Sequence, residues 1–317
     1  MKSIKTKTLG LALLVVVGVI VGVVSLTSPV NPPVIAVVLP SDRNPFWVAV
    51  RSGAEAAAAE AGDRYRVVIR ASQDQDPNSQ NDIMGRFLMT SDVAALVLGP
   101  ASGKHVVGTV AEYSRREIPV ILIDTMLDET ELERHGGNWT AFRGSNNRLG
   151  GKIAGEELVA RAAEKDGVIL LVNGNPVHQS AVDRREGFLD AFVGSEREII
   201  EIPAQWSPSE ASDAVFFHAT TKEIAGIFCA NDDMALGAVA GLKAANLRPK
   251  TPEWPVIIGF DATINGLRAI AQEEMSATVE QQAVRMGRAG VNAAIAVLEN
   301  DPGFQRITLF DVTLVPE

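Results

Sequence analysis

The segment AALVLGPASGKHVVGTVAEYSRREIPVILID, residues 94–124, decides the fold class. It opens on an uninterrupted apolar run at 94–98, turns at Gly99 and Pro100 into an amphipathic stretch at 103–116, and returns to a second apolar run at 120–123. Short runs that are apolar throughout cannot be half-exposed strands, because those alternate. Separated by a helix, they read as neighbouring strands of a parallel sheet covered on both faces.

The same alternation continues outward from this unit. Strands are expected at 35–39, 66–70, 168–172, 198–202, 225–228 and 256–259, with helices at 46–61, 79–90, 149–163, 181–192 and 234–244. The class is α/β. The pattern pauses over the polar stretch 126–140, which holds His135, Gly136 and Gly137, and restarts at 141–143. Two doubly wound units in tandem account for this better than one open sheet of ten or more strands.

Composition narrows the function. A chain of 317 residues, 46% hydrophobic and 21% charged, is long enough for two cores and is not disordered in character. A formal charge of -10, with no Lys/Arg block beyond the first residues, argues against a nucleic-acid partner. The single cysteine, Cys229, sits in an apolar run and reads as a core residue; it allows neither an intramolecular disulfide nor a thiolate metal site.

The N-terminus reads as an export segment. Lys2, Lys5 and Lys7 precede an uncharged run at 9–26, and Pro29, Pro32 and Pro33 follow. Charge on the N-terminal side holds that end in the cytoplasm and sends the rest outside. With no A-x-A site and no lipidation cysteine, residues 1–33 are expected to act as an uncleaved membrane anchor in preference to a cleaved signal.

Parallel sheets place ligands beyond the carboxyl ends of their strands. The residues there are 41–47, Asp124 and Thr125, 173–184, Gln205 and Trp206, 231–233, and Asp261. Acids, amides, an arginine and bulky aromatics recur, a mixture suited to a polyol: polar groups pair with hydroxyls and aromatic faces cover C–H surfaces. Taken alone, Asn231 or Asp261 would be an ordinary helix cap. Their company with three aromatics points to a site.

These positions fall in a series of motifs: NPFW (44–47), IPVILID (118–124), GGKIAG (150–155), DRREGF (183–188), ANDDMALGA (230–238), GFD (259–261) and ATVEQ (277–281). In this order they resemble the ribose-type periplasmic binding proteins, the substrate-binding components of ABC sugar importers, over nearly all of residues 34–317. The resemblance implies a sugar stacked between Phe46 and Trp47 on one lobe and Trp206 on the other. Its polar ligands would be Asn44 and Asp124 from the first lobe, with Arg184, Asn231, Asp261 and Gln281 from the second lobe and hinge. It also implies three crossings between lobes, giving a first lobe of 34–143 plus 282–310 and a second of 144–281 plus 311–317. The implied protein is a non-enzymatic monomer without cofactor. It closes around its ligand and engages an ABC permease or, alternatively, a membrane sensor kinase or chemoreceptor.

One position departs from the pattern. Ribose-binding members carry arginine after the aspartate of the I-D motif, and this chain has Thr125. A five-donor planar group becomes a short hydroxyl, so a hexose, deoxy sugar, polyol or cyclitol becomes as reasonable as ribose. Arg43 reads as a solvated loop residue.

Other chemistries find little support. Gly150, Gly151 and Lys152 suggest a phosphate loop, but Asn146 and Ile153 stand where it needs glycine and Ser/Thr, so they read as a helix start. Asp74, Asp76 and Asn78 begin like a calcium loop, yet Ser79 and Gly85 break it; a polar helix-capping loop is the expectation. The four histidines form no i, i+4 pair; His178, near the site, could line it, with a surface-loop residue the preferred reading. No G-x-S-x-G elbow nominates a nucleophile. A repressor effector domain would begin with a basic helix-turn-helix, which this chain lacks.

Overall fold

The computed structural model describes residues 31–73, 75–89 and 92–316. The expected export segment up to residue 30, and Asp74 and Thr90 within the expected loop and helix, lie outside the described residues.

The first half of the chain runs β1 (Val34–Leu39), α1 (Pro45–Ala61), β2 (Arg66–Ala71), α2 (Pro77–Met89), β3 (Val93–Leu98), α3 (Val107–Arg115), β4 (Val120–Ile123), α4 (Glu129–Arg134) and β5 (Ala141–Ser145). There follow α5 (Asn147–Arg161), β6 (Val168–Asn173), α6 (Gln179–Asp190), β7 (Ile199–Pro203), α7 (Pro208–Ala219), β8 (Ile224–Cys229), α8 (Asp232–Ala244) and β9 (Val256–Phe260). The last elements are α9 (Ile264–Ala271), β10 (Ala277–Glu280), α10 (Ala283–Leu298), β11 (Ile307–Phe310) and β12 (Thr313–Pro316).

Two six-stranded sheets result, ordered β11-β5-β4-β3-β1-β2 and β12-β10-β9-β8-β6-β7. Their pairings are parallel except that of β10 with β12. Each sheet is buried on both faces. Along β1, Ile35, Val37 and Leu39 pack with α1 and α10, whereas Val34, Ala36 and Val38 pack with α2 and α3. This two-sided burial is the physical reason the strands are apolar without alternation.

The chain passes between sheets after β5, between β10 and α10, and between β11 and β12. Strand β5 continues to Ser145, so the first passage falls two residues later than the expected break after 143. The hinge is tied by Ser145 Oγ donating to the Gln281 carbonyl and Gln282 Nε2 donating to the Asp311 carbonyl.

The polar pause contains a helix after all: α4 is capped by Asp128, whose carboxylate accepts from the Glu131 N–H at 2.9 Å. Asp76 does cap α2, accepting from the Asn78 and Ser79 N–H groups. Cys229 is buried in the second-lobe core.

The glycines of the broken phosphate-loop pattern serve packing. Helices α5 and α6 meet at backbone distance: a Cβ on Gly151 would lie 2.0 Å from the Arg184 carbonyl oxygen, and one on Gly187 would lie 1.9 Å from that of Arg148. Gly151→Ala is therefore expected to force the helices apart and cost about 1–3 kcal/mol of stability, the usual range for overpacking. Urea unfolding of the variant measures it; an unchanged midpoint would mean that the seam yields freely.

Candidate functional site

In doubly wound sheets the ligand crevice opens where neighbouring strands send their connections to opposite faces. Here that point lies beside β1, flanked by β2 and β3, and beside β6, flanked by β7 and β8. The two crevices face each other across one cleft. All ten residues singled out from the sequence line it.

The first-lobe wall begins after β1. Ser41 Oγ accepts from the Arg43 and Asn44 N–H groups and shapes the turn. Asn44 Oδ1 then accepts from the Phe46 and Trp47 N–H groups at 3.0 and 3.4 Å, capping α1, with Pro45 opening the helix. Cap and site residue are thus the same residue. Its free Nδ2 donates across the cleft to Asp233 Oδ2 at 2.9 Å. Phe46 and Trp47 meet edge to face, with ring centroids 4.9 Å apart.

Asp124 stands at the end of β4 with φ +64°, in the left-handed region that a non-glycine residue enters at a cost. Its N–H donates to the Arg143 carbonyl, and Thr125 Oγ1 donates to Oδ2 at 2.8 Å. Oδ1 is buried and has no protein partner.

The second lobe contributes a cationic centre. Arg184, on α6, donates through Nε to Asn147 Oδ1 at 2.8 Å, through Nη1 to the Ala230 carbonyl at 2.7 Å, and through Nη2 to Gln281 Oε1 at 3.2 Å. Its guanidinium lies 3.8 Å from the centroid of the Phe260 ring. Gly150 leaves room for that ring, since a Cβ there would strike it at 2.7 Å. Asp261, at φ +112°, pairs with Arg184 at 3.5 Å and accepts from Gln281 Nε2 at 2.6 Å.

Burial pushes the Asp261 carboxyl well above the usual carboxylate range, while Arg184 pulls it back; the same burial draws Arg184 down, opposed chiefly by Asp261. Behind this pair Asp232, raised to about 6 by burial, accepts from Thr278 Oγ1, Thr263 N–H and Thr263 Oγ1 and fixes the loop carrying Asp261. Asn231 caps α8, accepting from the Met234 N–H, and lines the cleft beside Arg184.

The far aromatic wall is Trp206. It and Gln205 both have positive φ, +71° and +51°. Gly174 permits the ring to lie against the turn after β6, where a Cβ would meet it at 2.3 Å.

His178 corrects the surface-loop reading. It is 9% exposed, lines the cleft, and bonds to Trp206 and to Ala101. Its partners lie far away in sequence, on another loop and on the other lobe, so no local pattern announced its burial. Phe260 and Asn147 were missed. The first reads as strand core and the second as a helix's first turn.

A profile of the periplasmic binding protein domain matches residues 35–302. The ribose import binding protein RbsB of Haemophilus influenzae is 29% identical over 285 residues, 89% of this chain and 91% of that protein. The D-allose-binding periplasmic protein of Escherichia coli is 26% identical over 286 residues, 88% of each. Among solved structures, a periplasmic solute-binding protein of an ABC transporter from Actinobacillus succinogenes with bound D-allose has a TM-score of 0.79. It is 22% identical, and the match covers 90% of this chain and 97% of that one. A solute-binding protein from Bacillus halodurans with bound myo-inositol has a TM-score of 0.77 at 23% identity, covering 92% and 96%. Two parallel-sheet lobes, a crevice between their switch points and a profile match spanning both lobes agree: the chain belongs to the periplasmic binding protein family and is a binding protein, not an enzyme.

Proposed function

We propose that this protein is an extracytoplasmic receptor for a neutral polyhydroxylated ligand, a hexose, deoxy sugar, polyol or cyclitol, which it encloses between its lobes and hands to an ABC permease. The observation that carries the reading is Asp124 Oδ1, a buried acceptor without a protein partner in a cleft walled by Trp47 and Trp206. Buried polar atoms are nearly always satisfied, and a ligand hydroxyl would satisfy this one. Arg184, Asn231, Asp261 and Gln281 offer donors and acceptors on the opposite side, as hydroxyls in several directions require.

Relatives named for ribose and allose, and structural neighbours with bound D-allose and myo-inositol, support the ligand class. Thr125 argues against ribose. It puts no guanidinium where ribose-binding members carry one, and its hydroxyl is spent on Asp124.

A thermal-shift screen of pentoses, hexoses, polyols and cyclitols tests the proposal. A ligand present at about one hundred times its dissociation constant adds roughly 2.7 kcal/mol, which raises the midpoint of a domain of this size by about 5 °C or more. A hexose or cyclitol is expected to exceed ribose. No shift with any of the four classes would sink the reading.

A further inference from the structure

We infer that His178 is a positioning residue that couples the approach of the two lobes to the setting of the Trp206 wall. The inference rests on the reading of the cleft as a ligand site. His178 precedes α6 but its side chain does not cap that helix. Both ring nitrogens are committed elsewhere. Trp206 Nε1 donates to Nδ1 at 2.9 Å, and Nε2 donates at 3.2 Å to the carbonyl of Ala101, which belongs to the first lobe.

The two partners leave one protonation form. An indole N–H only donates and a carbonyl only accepts, so the ring must accept at Nδ1 and donate at Nε2. That is the neutral Nε2–H tautomer. The other tautomer makes neither bond, and the imidazolium loses the one to Trp206.

The first-lobe end of the bridge is a built feature. Gln80 on α2, fully buried, donates Nε2 to the Gly99 carbonyl and accepts from the Ala101 N–H, both at 2.8 Å, which pins the turn after β3. A continuous run of polar contacts therefore passes from Gln80 through Ala101 and His178 to Trp206. Within this run only the Ala101–His178 contact spans the lobes. Trp206 needs such a tie, because it follows Gln205 in a left-handed backbone pair that costs energy to hold.

Protonation should undo the device. Burial holds His178 below its usual 6.5, against the pull of the Ala101 carbonyl and of Asp124 at the end of β4; Arg184 is the cation that shares the cleft with it. With the lobes apart the ring regains water and its ordinary value. A base depressed in the closed form favours closure fully above about 6.5, and that contribution fades as pH falls below it.

The test uses the full chain, isotope-labelled and without ligand, followed by NMR. The Trp206 indole signal is assigned by its loss in Trp206→Phe. At pH 8 we expect a nitrogen–nitrogen coupling from Trp206 Nε1 to His178 Nδ1, and an indole signal that moves as the pH is lowered to 5. His178→Gln retains a donor and an acceptor but cannot titrate, so its indole signal should stay constant with pH. Gln80→Met, which frees the Ala101 turn in the first lobe, should shift the indole signal in the second. Absence of the coupling at pH 8, equal pH response in wild type and His178→Gln, or an indole signal indifferent to Gln80→Met would each overturn the inference. These results do not depend on which sugar binds. A chain that shows the couplings yet binds none of the screened compounds would remove the sugar reading alone.

Discussion

Asp124→Ala is expected to weaken ligand binding by tenfold to a few thousandfold while leaving the unfolding midpoint near that of the wild type. The two halves of this result come from the two oxygens. Oδ1 has no protein partner, so its removal deletes nothing from the fold and relieves a buried acceptor of its unmet need. Oδ2 accepts from Thr125 Oγ1. In the complex the carboxylate would accept from one or two hydroxyls, and charged hydrogen bonds contribute about 1.5–3 kcal/mol each. Calorimetric titration with the sugar identified by screening measures the loss. Asp124→Asn should fall between, since the amide keeps one acceptor and turns the other into a donor. Wild-type affinity in Asp124→Ala would mean that ligand does not reach the end of β4.

Arg184→Met should be the most damaging single change to the ligand-free protein, costing about 3–5 kcal/mol at pH 8. Asp261 would be left buried without its cation, and Asn147 Oδ1, the Ala230 carbonyl and Gln281 Oε1 would each lose a donor. The loss has a definite pH sign. Asp261 already binds its proton more tightly folded than unfolded, so its contribution to stability falls as pH rises from the unfolded carboxylate range through its raised folded value. Removing Arg184 raises that value further and widens the window upward. The variant should therefore be closer to wild type at pH 5 than at pH 8. Adding Asp261→Asn should recover part of the loss at pH 8 by removing the stranded charge. Urea unfolding of the single and double variants at both pH values decides it: equal losses at pH 5 and pH 8 would mean that Asp261 does not depend on Arg184 for its charge.

The central strands were legible because each is apolar on both faces, as β1, β3 and β8 show, and six residues are too few for a buried helix. Strands β10, β11 and β12 were not assigned from periodicity. Each is four residues long, and the latter two are partly exposed, so alternation has no length in which to declare itself. Helix α4 hid in a stretch whose residues are polar because only Leu132 among them is buried. The candidate site divides the same way. Asn44 and Asn231 were visible at strand ends, where their cap role and their place in the cleft coincide. Gln80, Phe260 and the partners of His178 were not, because what each does depends on a neighbour brought from a distant segment.

The passage of the chain between sheets has a consequence for its birth. The first lobe starts at Val34 but receives α10 and β11 only near the end of synthesis. Until then β5 presents an unpaired edge where β11 belongs, and α1 lacks the helix whose Gly287 nests against the Val50 carbonyl. Its half of the core, built by Val50, Ala54 and Ala57 against Met286, Val291 and Ala294, cannot close. The lobe that is translated first is thus completed late, and neither lobe stands finished ahead of the other. A product cut short anywhere before Phe310 contains no whole lobe. Its open strand edge and bare apolar face expose it to proteases and aggregation, so no partial chain would accumulate.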